Sequence, residues 1–162
     1  MSLPSSRSTA CLSDMQQADL VITRHWLQTL LWRMAMSKCP LSSCSHTEHT
    51  SLLFSVRVSF QLRHLISSFS RENVKVRGSG RLQKLFEITD TIANVIIHVP
   101  TTPLEITTDR VEDFLFLTGF LFGFPRFDPK LRRILEEKWE TLQALFPCTA
   151  EACKGRFYRM QP

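Results

Sequence analysis

The chain of 162 residues lacks the features that define several functional classes. Its longest apolar run, Phe114 to Phe124, falls well short of the roughly 20 residues that a membrane-spanning helix needs. Only five glycines are present, which disfavours a turn-rich β-sandwich. No Gly-x-Ser-x-Gly nucleophile elbow and no phosphate-binding loop occurs. We therefore expect neither an enzyme nor a membrane span.

Cysteine usage points to a reducing compartment. The chain has five cysteines, an odd number, and its Ser-rich beginning contains no apolar segment of the kind that a secretory signal needs. We expect reduced thiols in an intracellular protein.

Four cysteine and histidine residues form the best metal candidate, because thiolate and imidazole groups suit zinc. Structural zinc sites usually separate two pairs of ligands, whereas these four crowd into one short stretch, and we favour an exposed loop over a zinc site. They are Cys39, Cys44, His46 and His49. We expect no metal or cofactor in this chain.

Apolar residues three and four positions apart predict an all-α fold, a bundle of about five helices with short loops that end in proline or glycine. The first helix is predicted over 14–38, the second from a start between Phe54 and Val58, and the third over 81–98 after an N-cap at Ser79. Residues 1–13 are expected to be disordered, 14–147 to form one helical domain, and 148–162 to be a loose tail.

The starts of the last two helices are predicted from capping patterns. The fourth helix is expected to begin at Thr108 or Asp109, with Glu112 completing a capping box. The fifth is expected after Asp128 as N-cap, with Pro129 at its first position.

The first helix contains a Leu-x-x-Leu-Leu string that has two interpretations. The apolar set of this helix is expected to pack into the core, and this is the interpretation we favour. The set consists of Leu20, Val21, Ile22, Trp26, Leu27, Leu30, Leu31 and Met34. The alternative is a partner-binding face that docks into the groove of another protein. That face consists of Trp26, Leu27, Leu30 and Leu31.

A basic patch precedes and enters the third helix. It consists of Arg71, Lys75, Arg77, Arg81 and Lys84. Such a patch can meet nucleic acid or acidic partners. Because aromatic residues are not interleaved with it, we favour a solvated helix entry and do not expect direct DNA contact.

The run from Phe114 to Phe124 is apolar nearly all round. If a small bundle leaves part of it uncovered, the exposed apolar surface favours self-association. We therefore expect self-association of the chain.

Three segments resemble the regulatory region of fungal transcription factors of the binuclear zinc-cluster class. They are residues 19–37 (DLVITRHWLQTLLWRMAMS), 77–99 (RGSGRLQKLFEITDTIANVIIHV) and 126–146 (RFDPKLRRILEEKWETLQALF). The likeness covers residues 15–147 and consists of helix-face patterns.

The resemblance implies a nuclear protein that helps to control transcription by RNA polymerase II. In that family an N-terminal six-cysteine cluster holds two zinc ions and contacts DNA, and the cysteines of this chain lack its paired spacing. The expectation is thus a regulatory, non-DNA-binding helical region from a truncated chain, with zinc only in the missing cluster and partners among other parts of a transcription regulator. The alternative is a generic helical protein-interaction adaptor.

Overall fold

The computed structural model describes residues 14–38, 54–68, 79–98 and 104–151. Within these ranges there is no strand, and the predicted all-α class is confirmed. Five helices form the bundle: α1 (Asp14–Lys38), α2 (Phe54–Ser68), α3 (Ser79–His98), α4 (Leu104–Phe122) and α5 (Pro129–Leu145).

Helix α3 lies at the centre of the bundle and contacts each of the other four helices. Several of its buried apolar residues are adjacent in the sequence, such as Leu85 and Phe86, and they therefore spread over much of the helix circumference. Its buried apolar residues are Leu85, Phe86, Ile88, Ile92, Ala93, Val95 and Ile96.

The apolar run of α4 is covered. Phe114, Leu115, Leu117 and Leu121 are each at most 1% exposed, because α2, α3 and α5 all pack against this helix. This removes the uncovered surface from which self-association was expected. No helix in the described part of the chain is both long and apolar enough to cross a membrane.

The predicted start of α4 is wrong. The helix begins at Leu104, so Asp109 and Glu112 lie in its interior and cannot form a capping box at its N-terminus. The sequence did contain a signal for the earlier start, since Pro103 directly precedes the first helical residue and proline favours the beginning of a helix. Helix α3 likewise includes Ser79, which was expected to precede it as the N-cap.

The predicted start of α5 is confirmed. Asp128 is the N-cap, its Oδ1 accepts a hydrogen bond of 2.8 Å from the backbone N–H of Lys130, and Pro129 is the first helical residue. After α5, residues 147–151 form a short helical segment. Thr149 and Ala150 are buried there, whereas a loose tail was expected from residue 148.

Candidate functional site

Helix α1 lies at the edge of the bundle, where it packs against α2 and α3 and, among the helices described, against no other. Its buried residues are spaced four and three apart and therefore lie on one face of the helix. They are Ala18, Ile22, His25, Thr29 and Trp32. This packing leaves the opposite face of α1 available to solvent.

That opposite face carries a strip of large apolar side chains. Leu20 is 57% exposed, Leu27 48%, Leu31 66% and Met34 57%. Their spacing of seven, four and three residues places them along one side of the helix. These four residues are called the apolar strip, and it extends for about 21 Å at 1.5 Å per residue.

The expectation that these four side chains belong to the core is wrong. The inner face instead carries two polar side chains, His25 and Thr29, beside three apolar ones, and backbone acceptors can satisfy polar groups of this kind. The hydroxyl of Thr29, for example, donates a hydrogen bond of 2.8 Å to the carbonyl oxygen of His25. The leucine-rich side of α1 is consequently turned away from the bundle.

The partner-binding face suggested by the sequence is divided between two environments. Leu27 and Leu31 are exposed, whereas Trp26 and Leu30 are half-buried. Trp26 packs against the core, and its Nε1 donates a hydrogen bond to Glu87 of α3. Of the four predicted residues, only Leu27 and Leu31 therefore belong to the apolar strip.

The described part of the predicted basic patch is engaged with α1. Arg81 Nε lies 2.9 Å from Asp19 Oδ1. Lys84 Nζ donates to Thr23 Oγ1 at 2.8 Å and lies 5.7 Å from the centroid of the Trp26 ring. These two cations thus join α3 to α1. Arg71, Lys75 and Arg77 lie outside the described residues.

An open cleft of about 700 Å³ lies between α2 and α4. Its lining consists of Phe60, Arg63, His64, Ser67, Asp109, Glu112 and Asp113. The buried carboxylate of Asp113 accepts hydrogen bonds from Ser59 Oγ at 3.0 Å and from Arg63 Nη1 at 2.9 Å. Arg63 Nη1 also lies 3.9 Å from Glu112. These contacts tie α2 to α4, and they could not be predicted from the sequence alone because they join residues about 50 positions apart.

Two further titratable residues, His25 and Arg110, are buried. Burial lowers the pKa of His25 below its usual value of 6.5; a hydrogen bond with Gln28 opposes this shift, and the charge of Arg24 reinforces it. Arg110 is only 3% exposed, its Nε and Nη1 have no hydrogen-bond partner, and burial lowers the pKa of its guanidinium. Neither residue lines the cleft.

Among the described ranges no group of three or more histidine, cysteine or acidic residues could hold a metal ion. The metal candidate formed by Cys39, Cys44, His46 and His49 lies outside those ranges.

Comparison of the chain with known proteins found no matching family model, no similar curated protein and no similar solved structure. The likeness to zinc-cluster regulators therefore depends on the three sequence segments alone.

Proposed function

We propose that this chain is a regulatory helical module of a nuclear transcription regulator of the fungal zinc-cluster class. It acts by docking a protein partner on the apolar strip of α1, and neither catalysis nor contact with DNA is part of its role. The observation that carries the docking is the strip itself: four large apolar side chains, each about half exposed or more, lie on the side of α1 opposite the core.

Hydrophobic residues scattered singly over a surface are ordinary, but a contiguous apolar patch marks an interaction site. The strip has the spacing by which amphipathic helices recognise one another. It also lies within residues 19–37, one of the three segments that resemble the regulatory region. Docking and transcription control therefore draw support from the same helix.

A tethered reporter tests the proposal. The full chain is fused to an unrelated DNA-binding domain beside a constitutive activator, and transcription is compared for the wild type and the Leu27→Gln/Leu31→Gln variant. We expect the wild type to change reporter output and the variant to lose that effect. Because both side chains are exposed, the variant should fold normally, as circular dichroism can verify.

The matched control is Ile134→Gln/Leu145→Gln. It also replaces two exposed apolar side chains by glutamine, but on α5, which does not contact α1. This control should behave as the wild type does. A reporter effect that survives Leu27→Gln/Leu31→Gln would contradict docking through the strip.

The adaptor alternative is favoured by the strip as well, because docking by itself does not require transcription. The location of the tagged chain separates the two functions. A nuclear pool is expected for the regulator, whereas a purely cytosolic pool would leave only the adaptor.

A further inference from the structure

We propose that the occupant of the apolar strip is an acidic amphipathic helix: a partner segment with apolar residues three and four apart and Asp or Glu on its flanks. This inference rests on the proposed docking function and adds the chemistry of the partner. It is carried by the charges that lie within and beside the strip.

The exposed side chains of α1 that carry a charge without an ion-pair partner, among those described, are positive. Arg24 lies four residues after Leu20 and three before Leu27, and therefore falls within the strip. Arg33 lies about 100° around the helix from Met34, at the border between the exposed and the packed faces of α1. Both arginines are exposed, and neither has an ion-pair partner among the described residues.

The neighbouring acidic groups are already occupied. The carboxylate of Asp19 is held by Arg81 at 2.9 Å, and Glu87 accepts the hydrogen bond from Trp26 Nε1. Lys84 adds another cation on the same flank. A docked helix would therefore meet an apolar centre beside the unpaired guanidinium of Arg24, with Arg33 further round α1, and carboxylates on its flanks would complement this positive charge.

The dimensions of the strip suit one short helix. A partner helix of about 14 residues, or four turns, covers the distance of about 21 Å between Leu20 and Met34. Over that length it presents apolar residues on about four turns to the four side chains of the strip.

A second copy of the chain fits the same surface less well. In a two-fold pairing of strips, Arg24 of each copy would face the strip of the other copy, which carries the same cation. The acid described on α1, Asp19, is already paired with Arg81. Like charges across an interface disfavour that pairing. Charge thus selects an acidic partner over self-association through α1.

Fluorescence anisotropy with two designed peptides of about 15 residues tests the inference. Both carry leucine at helical three-and-four spacing; one has glutamate at the flanking positions and the other has lysine. The full chain should bind the acidic peptide at least tenfold more tightly than the basic one. Added salt should weaken the binding of the acidic peptide.

Charge reversal supplies the second readout. Arg24→Glu/Arg33→Glu should weaken binding of the acidic peptide by about tenfold or more. The matched control, Arg126→Glu/Lys130→Glu, reverses two exposed cations away from α1 and should leave binding unchanged. Leu27→Gln/Leu31→Gln should abolish binding without adding charge.

Three results would overturn the inference: equal or tighter binding of the basic peptide, failure of the acidic peptide to bind, or unchanged binding by the charge-reversal variant. A dimer by light scattering that Leu27→Gln/Leu31→Gln converts to monomer would instead assign the strip to a second copy. Each of these leaves the docking function in place, since that function fails only if the reporter effect survives loss of the strip.

Discussion

The ammonium group of Lys84 lies 5.7 Å from the centroid of the Trp26 ring. The sequence placed these two residues in different candidate sites, one in a basic patch and the other on a partner-binding face. In the folded chain they form a single contact between α3 and α1. This contact is one of several that join α1 to α3 while the apolar strip faces away from the bundle.

Replacement of Lys84 by methionine should lower the free energy of unfolding by about 1 kcal/mol. The change keeps the length of the side chain but removes the cation–π contact and the hydrogen bond to Thr23. Urea denaturation measures the difference. Lys130→Met, at an exposed position of α5, is the control and should have little effect. Equal stabilities for the two variants would show that the Lys84 contact does not hold α1 in place.

Asp113→Asn should destabilise the fold by about 2 kcal/mol, because a carboxylate that accepts hydrogen bonds from Ser59 and Arg63 loses its charge. The isosteric change leaves the packing intact, so that thermal and urea unfolding report on these polar contacts. Asp109→Asn provides the control in the same cleft, where the side chain is exposed. Similar losses for both variants would contradict the role assigned to Asp113.

The sequence predicted elements whose signals are local. Asp128 and Pro129 predict the start of α5 because an N-cap residue and a first-turn proline affect only the backbone of the neighbouring few residues. The bounds of α1 were predicted correctly for a similar reason, since Asp14 is a favoured capping residue at its start and Pro40 follows its end.

The orientation of α1 could not be predicted in this way. Its leucines are more hydrophobic than His25 and Thr29, and a ranking by hydrophobicity therefore places Leu27 and Leu31 inside. Which face is buried depends on the shapes of α2 and α3, which lie far away in the sequence. The sequence pattern consequently predicts the residues of the apolar strip to be core, although they are exposed in the structure. This mismatch between hydrophobicity and exposure identifies the candidate site.

Arg110→Met should stabilise the protein, by about 1 to 3 kcal/mol. The guanidinium is buried with two nitrogen atoms unpaired, and an unpaired buried donor costs free energy that an apolar side chain of similar length does not. A rise in the midpoint of thermal unfolding is expected. Arg126→Met, at an exposed position in the α4–α5 loop, should shift the midpoint little. A destabilised Arg110→Met variant would indicate that the charge has a favourable partner in solution.

The stability of the fold should decline in mild acid because of His25. Since burial lowers the pKa of this side chain, the folded state takes up a proton less readily than the unfolded chain does. As the pH is lowered below the usual value of 6.5, the unfolded chain takes up the proton before the folded chain does. The free energy of unfolding therefore decreases as the pH is lowered, until the lower pKa of the folded state is passed. Above 6.5 both states are neutral at this residue, and its contribution does not change with pH.

Urea unfolding of the wild type and of His25→Gln at about pH 7.5 and about pH 5.5 separates this effect from other titrations. Glutamine is uncharged at both values, so the variant should lose less stability than the wild type on acidification. All other ionisable groups are shared, and the difference between the two slopes therefore belongs to His25. Because His25 lies on the buried face of α1, its protonation should loosen the packing of α1 on α2 and α3. Parallel slopes would mean that His25 is hydrated in the folded chain, and that α1 is held less closely than its contacts imply.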